Sequence, residues 1–436
     1  MKYNFSYHES FPKKKSRKNQ VSRGKIVKLL IKGGILVTPI KIIYDADILI
    51  EKNKIAKIGK IEEKVDCKIE LKKKCFIFPS LINAHDHLLG SYYPRIGDGP
   101  YINWLPWDED LKSHPIYQER NKIDNIDLYF LGAYKNLISG VTIVSDHIPH
   151  AVNQEFIELM PIKVLKDYTL EHEITSYDLR WGRGITTEHN EAKEKDIPFI
   201  THIQEGFDEE ACLGVNILKE LNALDEYTVL VHGISFSESD IMEIARANAN
   251  VVWCPSSNYF MFKKTTNIKS LLKRNINVSL GTDSPMSGGL NILDEMKFAY
   301  SLYKKIYNEE LEYKKLVEMV TVNPAKALRL KNTGMIEEGF LANLVVIKAG
   351  KYVDPYEALV KSWFNDIELV IIEGKPLYGY PEYFSGLEKT KGYEHISIKG
   401  KERILWGNLS KVFKRIYQRI GYNKILPFLP VDSIIY

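Results

Sequence analysis

Cysteine is scarce and dispersed in this 436-residue chain: Cys67, Cys75, Cys212 and Cys254 stand far apart, with no Cys-x-x-Cys pair. That spacing argues against a disulfide framework or a thiolate zinc site and fits a reducing compartment. No apolar run approaches the roughly 20 residues that span a bilayer. No apolar stretch follows the N-terminal charges, as a secretory signal would require. Neither sign of charge dominates, since 60 Lys and Arg against 56 Asp and Glu leave +4. So small an excess calls for no nucleic-acid surface. The expectation is a cytoplasmic chain with no membrane span and no nucleic-acid partner. What is present is 44% apolar residues over a length that suits a barrel plus one accessory domain.

The patterning divides the chain into four parts. Residues 1–24 are basic and irregular, with Lys13-Lys14-Lys15-Ser16-Arg17-Lys18 at their centre, and read as a flexible tail. Residues 25–78 and 333–380 hold short β-branched strands such as Asp47-Ile48-Leu49-Ile50 and Asn343-Leu344-Val345-Val346-Ile347. Neither set could close a core alone, so together they predict one small β-sandwich built from both ends of the chain. Residues 79–332 alternate strand and helix patterns, the signature of right-handed βα units. A long loop rich in glycine, proline and aromatics is expected from Gly90 to Pro115. Residues 381–436 form an extension. In it Leu405, Leu409, Val412, Phe413, Ile416 and Ile420 fall at helical spacing among Lys411, Lys414, Arg415 and Arg419. Such a helix docks on protein or lies on an anionic membrane.

The chemistry sits at strand ends. In Ile82-Asn83-Ala84-His85-Asp86-His87 the two histidines are i and i+2 on a strand, so both can reach one metal ion. Three further apolar runs end in His202, His232 and Asp283: Pro198-Phe199-Ile200-Thr201-His202, Thr228-Val229-Leu230-Val231-His232 and Val278-Ser279-Leu280-Gly281-Thr282-Asp283. A parallel (β/α)8 TIM barrel keeps its chemistry at the C-terminal ends of its strands. His85, His87, His202 and Asp283 offer three neutral nitrogens and a carboxylate, a set that suits Zn²⁺ or Fe²⁺ with one position open for water.

These motifs resemble the amidohydrolase superfamily, in the branch of cytosine and guanine deaminases, triazine chlorohydrolases and imidazolonepropionase. His202-Ile203-Gln204-Glu205 resembles its His-x-x-Glu, and Val252-Trp253-Cys254-Pro255-Ser256-Ser257-Asn258 and Leu280-Gly281-Thr282-Asp283 its seventh and eighth strands. Gly140-Val141-Thr142-Ile143-Val144-Ser145-Asp146 resembles its third-strand entry. Thr321-Val322-Asn323-Pro324-Ala325 and Gly334-Met335-Ile336-Glu337-Glu338-Gly339 resemble its exit helix and return strand, so the likeness covers residues 26 to about 380. Ala342-Asn343-Leu344 departs from the family's Ala-Asp-Leu.

The resemblance implies a catalytic set of Glu205, His232 and Asp283. Asp283 would serve as ligand and base, Glu205 as proton shuttle, and His232 as partner of the attacking water or the substrate oxygen. It also implies one metal per chain and a homo-oligomer. A rival arrangement bridges two metals through a lysine at the end of strand four; with that strand at Pro161–Tyr168, the bridge would be Lys166. Candidate contacts for a heterocyclic substrate are Trp104, Glu109, His147, His172 and Arg183. The leading expectation is hydrolytic deamination of a nitrogen heterocycle by metal-activated water. The alternatives are ring-opening of a cyclic amide and a scaffold without catalysis.

Overall fold

A computed structural model describes residues 28–71, 74–175, 181–385, 387 and 391–432; the basic segment 1–24 lies outside them. The barrel strands are β1 (Leu81–Asp86), β2 (Val141–Asp146), β3 (Lys163–Val164), β4 (Thr169–Glu173), β5 (Phe199–Ile203), β6 (Thr228–His232), β7 (Asn250–Trp253) and β8 (Asn277–Leu280). They pair in parallel as β3-β2-β1 and as β4-β5-β6-β7-β8. A parallel bridge between Asp86 and Asp283 joins the two sets at the end of β1 and just beyond β8. Ile82, Ala84, Ile143, Leu170, Ile200, Val229, Val231 and Val252 pack together within them. The strands are buried along nearly their whole length, which explains their continuous apolar runs.

Two corrections concern the strand count. Val141–Asp146 is the second barrel strand, not the third. The stretch expected as strand four instead holds the two-residue β3 and a turn, and β4 follows at Thr169–Glu173. Lys166 therefore lies between strands; its side chain is about half exposed and pairs with Glu158. It cannot bridge metals at the mouth. The segment after β1 also differs from a plain loop, because it contains the helices Trp104–Ser113 and Pro115–Arg120. Asn103 caps the first by accepting from Leu105 N at 3.1 Å. Pro106 falls in its first turn, where a missing N–H costs little.

Both ends of the chain build the β-rich layer. Cys75–Pro79 pairs antiparallel with Leu344–Lys348, inside an eight-stranded sheet that continues through Tyr393–Ile398 and Lys401–Trp406. A four-stranded sheet made of Lys28–Lys32, Asp47–Glu51, Lys54–Gly59 and Cys67–Glu70 lies against it. Leu29, Ile31, Ile48 and Ile50 of the smaller sheet share one core with Leu36, Ile77, Val346 and Leu369 of the larger.

The C-terminal helix is Leu409–Ile420. It buries Leu409, Val412 and Ile416 and packs on the barrel helix Asn125–Ile138. Arg415 Nε donates to Asp127 at 2.9 and 3.0 Å, and Arg419 Nη2 to Asp124 at 3.0 Å. Most of its apolar stripe is thus spent on protein rather than left for a membrane. Among the described residues no helix is long and apolar enough to cross one.

Candidate active site

The C-terminal ends of β1, β5, β6 and β8 converge at the barrel mouth. His85 and His202 bring their Nε2 atoms within 3.2 Å of each other. Asp283 Oδ1 lies 3.6 Å from His85 Nε2 and 3.4 Å from His87 Nε2. The His232 ring centroid is 5.1 Å from that of His202 and 5.6 Å from that of His85. Gly281 permits this closure, since a Cβ there would stand 2.7 Å from His85 Cβ. His232 and Asp283 hold φ values of 75° and 58°. Backbone in that region costs on the order of 1–3 kcal/mol per residue and concentrates at functional sites.

The electrostatics suit a divalent cation. Burial pushes His85 down to about 3 and holds His202 and His232 below the usual imidazole range, so all three rings offer neutral nitrogens. Burial opposes ionisation of Asp283, but the imidazoles of His85, His87 and His232 gathered around it pull its carboxyl far below the usual range. Two imidazole nitrogens 3.2 Å apart beside a carboxylate want a common cation. His85 with His232 and Asp283, and His85 with His147 and His202, each bring three donor atoms within 4.8 Å of one another.

Around these donors lies a layer of polar side chains to which the sequence analysis gave no role. Ser257 Oγ donates to Asp283 Oδ2 at 2.7 Å, and Ser287 Oγ donates to the same oxygen. Asn258 Oδ1, which can only accept, lies 2.9 Å from His232 Nδ1. The proton of neutral His232 is therefore on Nδ1, and its Nε2 is bare, 3.6 Å from Glu205 Oε1. Burial raises Glu205 well above the carboxylate range, helped by the negative charges of Asp283 and Glu173.

The substrate candidates divide. His147 lies 4.2 Å, centroid to centroid, from His202, and His172 lies 5.4 Å from it. Trp104 packs 5.0 Å from His172 and donates its Nε1 to Glu173. Trp181 packs 4.3 Å from His172. Glu109 and Arg183 are not brought to this cluster. Glu109 is exposed on the helix Trp104–Ser113, and Arg183 pairs with Glu188 at 2.8 Å and with Glu191. Glu173 is a residue the sequence reading missed. Its only signal was the charged pair His172-Glu173 at the end of a strand.

Residues 182–377 match the model of the amidohydrolase family. That match, with the deaminase and chlorohydrolase relatives, supports a hydrolase of the amidohydrolase family acting on C–N bonds other than peptide bonds. Within it, the chain is 29% identical to a 5-methylthioadenosine/S-adenosylhomocysteine deaminase of Thermococcus sibiricus, over 80% of this chain and 93% of that one. It is 27% identical to a 5'-deoxyadenosine deaminase of Methanococcus vannielii, over 76% and 90%. Among solved structures, a zinc-bound adenosine deaminase from Xanthomonas campestris superposes with a TM-score of 0.70 at 17% identity, over 89% of this chain and 98% of that one. An atrazine chlorohydrolase from Arthrobacter aurescens, complexed with zinc, gives 0.69 at 18%, over 80% and 95%. These two carry the barrel fold.

Proposed function

We propose that the chain deaminates 6-aminopurine nucleosides, with one zinc ion held by His85, His87, His202 and Asp283. The observation that carries this reading is the convergence of those four side chains with Glu205 and His232 in one cluster, buried except for the partly exposed His87. The curated relatives' names supply the nucleoside class. Zinc is favoured over iron by the zinc-bound neighbours, and one metal over two because Lys166 lies away from the mouth.

When bound, the metal supplies positive charge that acidifies a water and stabilises charge developing on the purine. The protein groups manage protons and orientation. Asp283 is ionised and can accept the proton that the attacking water loses. Glu205, protonated by burial, can deliver a proton to the ring nitrogen next to the carbon under attack, then take part in protonating the departing amine. His232 presents a bare Nε2 as a hydrogen-bond acceptor, its tautomer set by Asn258. Trp104, His147, His172 and Trp181 form an aromatic wall against which a flat heterocycle can lie. Water adds at carbon, the C–N bond breaks and ammonia leaves. Assembly into a homo-oligomer, implied by the family resemblance, belongs to the same proposal.

The test is ammonia release by zinc-loaded protein against adenosine, 5'-deoxyadenosine, 5'-methylthioadenosine, S-adenosylhomocysteine, guanine and cytosine, with ring-opening of the cyclic amide dihydrouracil, which frees no ammonia, followed by its loss of ultraviolet absorbance. Turnover of an adenosine derivative supports the reading. Ring-opening of dihydrouracil without turnover of any amino heterocycle overturns it.

A further inference from the structure

The helix Pro255–Phe262 follows β7 and carries the two side chains that steady the reacting groups, Ser257 on Asp283 and Asn258 on His232. Its own start is poorly served. Cys254 at the N-cap makes no side-chain capping bond, and Pro255 has no N–H to give. The first free amide is that of Ser256, and it donates to Glu295 Oε1 at 2.8 Å; the Ser256 hydroxyl bonds the same carboxyl. Glu295 comes from the first turn of the helix Ile292–Tyr307, which Asn291 caps. Its side chain is fully buried.

The other oxygen, Oε2, has no hydrogen-bond partner among the described residues and lies against Gly289, where any Cβ would collide with it. The nearby cation Arg95 donates Nη2 to Gly288 O at 2.5 Å. Burial pushes the Glu295 carboxyl up to about 8, against the hydrogen bonds from Ser256. A buried carboxyl with one bonded and one orphaned oxygen is an unusual choice for a structural role alone. What the site uses is its acceptor, not its charge.

We infer that Glu295 is a positioning residue. By accepting from Ser256 it sets the start of the helix Pro255–Phe262, and so places Ser257 on Asp283 and Asn258 on His232. This rests on the active site proposed above. Glu295 touches neither metal ligand nor substrate; it acts through the helix.

The experiment compares Glu295→Gln, Glu295→Leu and Gly289→Ala in the full-length zinc-loaded protein. The last crowds Oε2 from the opposite side and serves if the leucine variant does not fold. The readouts are kcat and KM for adenosine and the rate at which a chelator strips zinc. Glutamine keeps an acceptor for Ser256 and should rescue both. Leucine should lower kcat by about 10- to 100-fold with KM little changed, and speed zinc loss, a size within the range of coupling between residues in one network. Placed on a Ser257→Ala/Asn258→Ala background, the leucine change should cost much less, because its route to the site is already cut. Fully additive losses, a glutamine variant as impaired as leucine, or a leucine variant with normal kcat and zinc retention would each overturn the inference. Asp283→Ala separates the two layers. If it keeps zinc, the site itself is wrongly assigned; if it sheds zinc while Glu295→Leu behaves as wild type, only the role of Glu295 fails.

Discussion

Lys135 and Asp86 form an ion pair at 2.8 Å with both side chains fully buried, directly behind the His85-Asp86-His87 strand end. Replacing Lys135 with Met keeps most of the stem volume and removes the cation. Asp86 would retain Asn136 Nδ2 at 2.8 Å and Asn83 Nδ2 at 3.2 Å, but its charge would lie uncompensated in the interior. Breaking a buried pair from one side costs roughly 3–5 kcal/mol, and the surviving amide donors place this case near the lower end. For a domain of 150–250 residues each kcal/mol moves the melting midpoint by about 2–4 °C, so a drop on the order of 6–12 °C is expected by circular dichroism. The same network ties β1 to the end of β8, because Asn83 Nδ2 donates to Thr282 Oγ1 at 2.7 Å and Thr282 N to Asn83 Oδ1 at 3.1 Å. Faster loss of zinc to a chelator should accompany the loss of stability. Adding Asp86→Asn removes the orphaned charge while keeping an acceptor for the amides, and should recover much of the midpoint. A single variant melting within about 2 °C of wild type, or a double variant less stable than the single, would refute the reasoning.

Asp283→Ala should abolish turnover and strip the metal, read by elemental analysis; near-normal activity would place the site elsewhere. Glu205→Gln should keep metal and substrate affinity while losing a factor on the order of 10² to 10⁴ in kcat, the scale of general acid–base catalysis. An equal loss of metal would make Glu205 structural instead. Truncation after Gly407 removes the helix Leu409–Ile420 and uncovers the barrel helix it packs on. Lower solubility or a changed mass in light scattering is expected, with zinc content intact. A truncated protein with unchanged melting and mass that had lost affinity for anionic vesicles would restore the membrane reading.

What could be read from sequence follows the range of the interactions concerned. The convergence of His85, His202, His232 and Asp283 was legible because each ends an apolar run, and strand periodicity puts His85 and His87 on one side without knowledge of the rest of the fold. The sandwich halves were legible because neither could bury its own apolar face. The strand count failed where β3 shrinks to two residues. So short a strand leaves no period to read, and the error carried Lys166 to the wrong place. Glu109 and Arg183 were chosen for residue type on segments near the mouth. Their actual direction depends on helix phase in one case and on Glu188 and Glu191 in the other.

The residues whose contacts were missed share a different property. Ser257, Asn258, Glu295 and Lys135 act on side chains brought near by closure of the barrel, so nothing in their own neighbourhoods announces their partners. Lys135 gave a hint, as a charge on the otherwise apolar face of the helix Asn125–Ile138. A buried charge in a helix implies a partner, but only the meeting of that helix with β1 identifies it as Asp86. Glu295 gave a weaker one, because an acid in the first turn of a helix is ordinarily explained by the macrodipole. Its full burial and its bond to Ser256 remove that explanation. The donor set at the mouth is thus written in local periodicity, while the groups that hold it in register are written in contacts between distant segments. Reading those contacts is what turns a list of ligands into a site whose tautomers, protonation states and strand ends can each be tested.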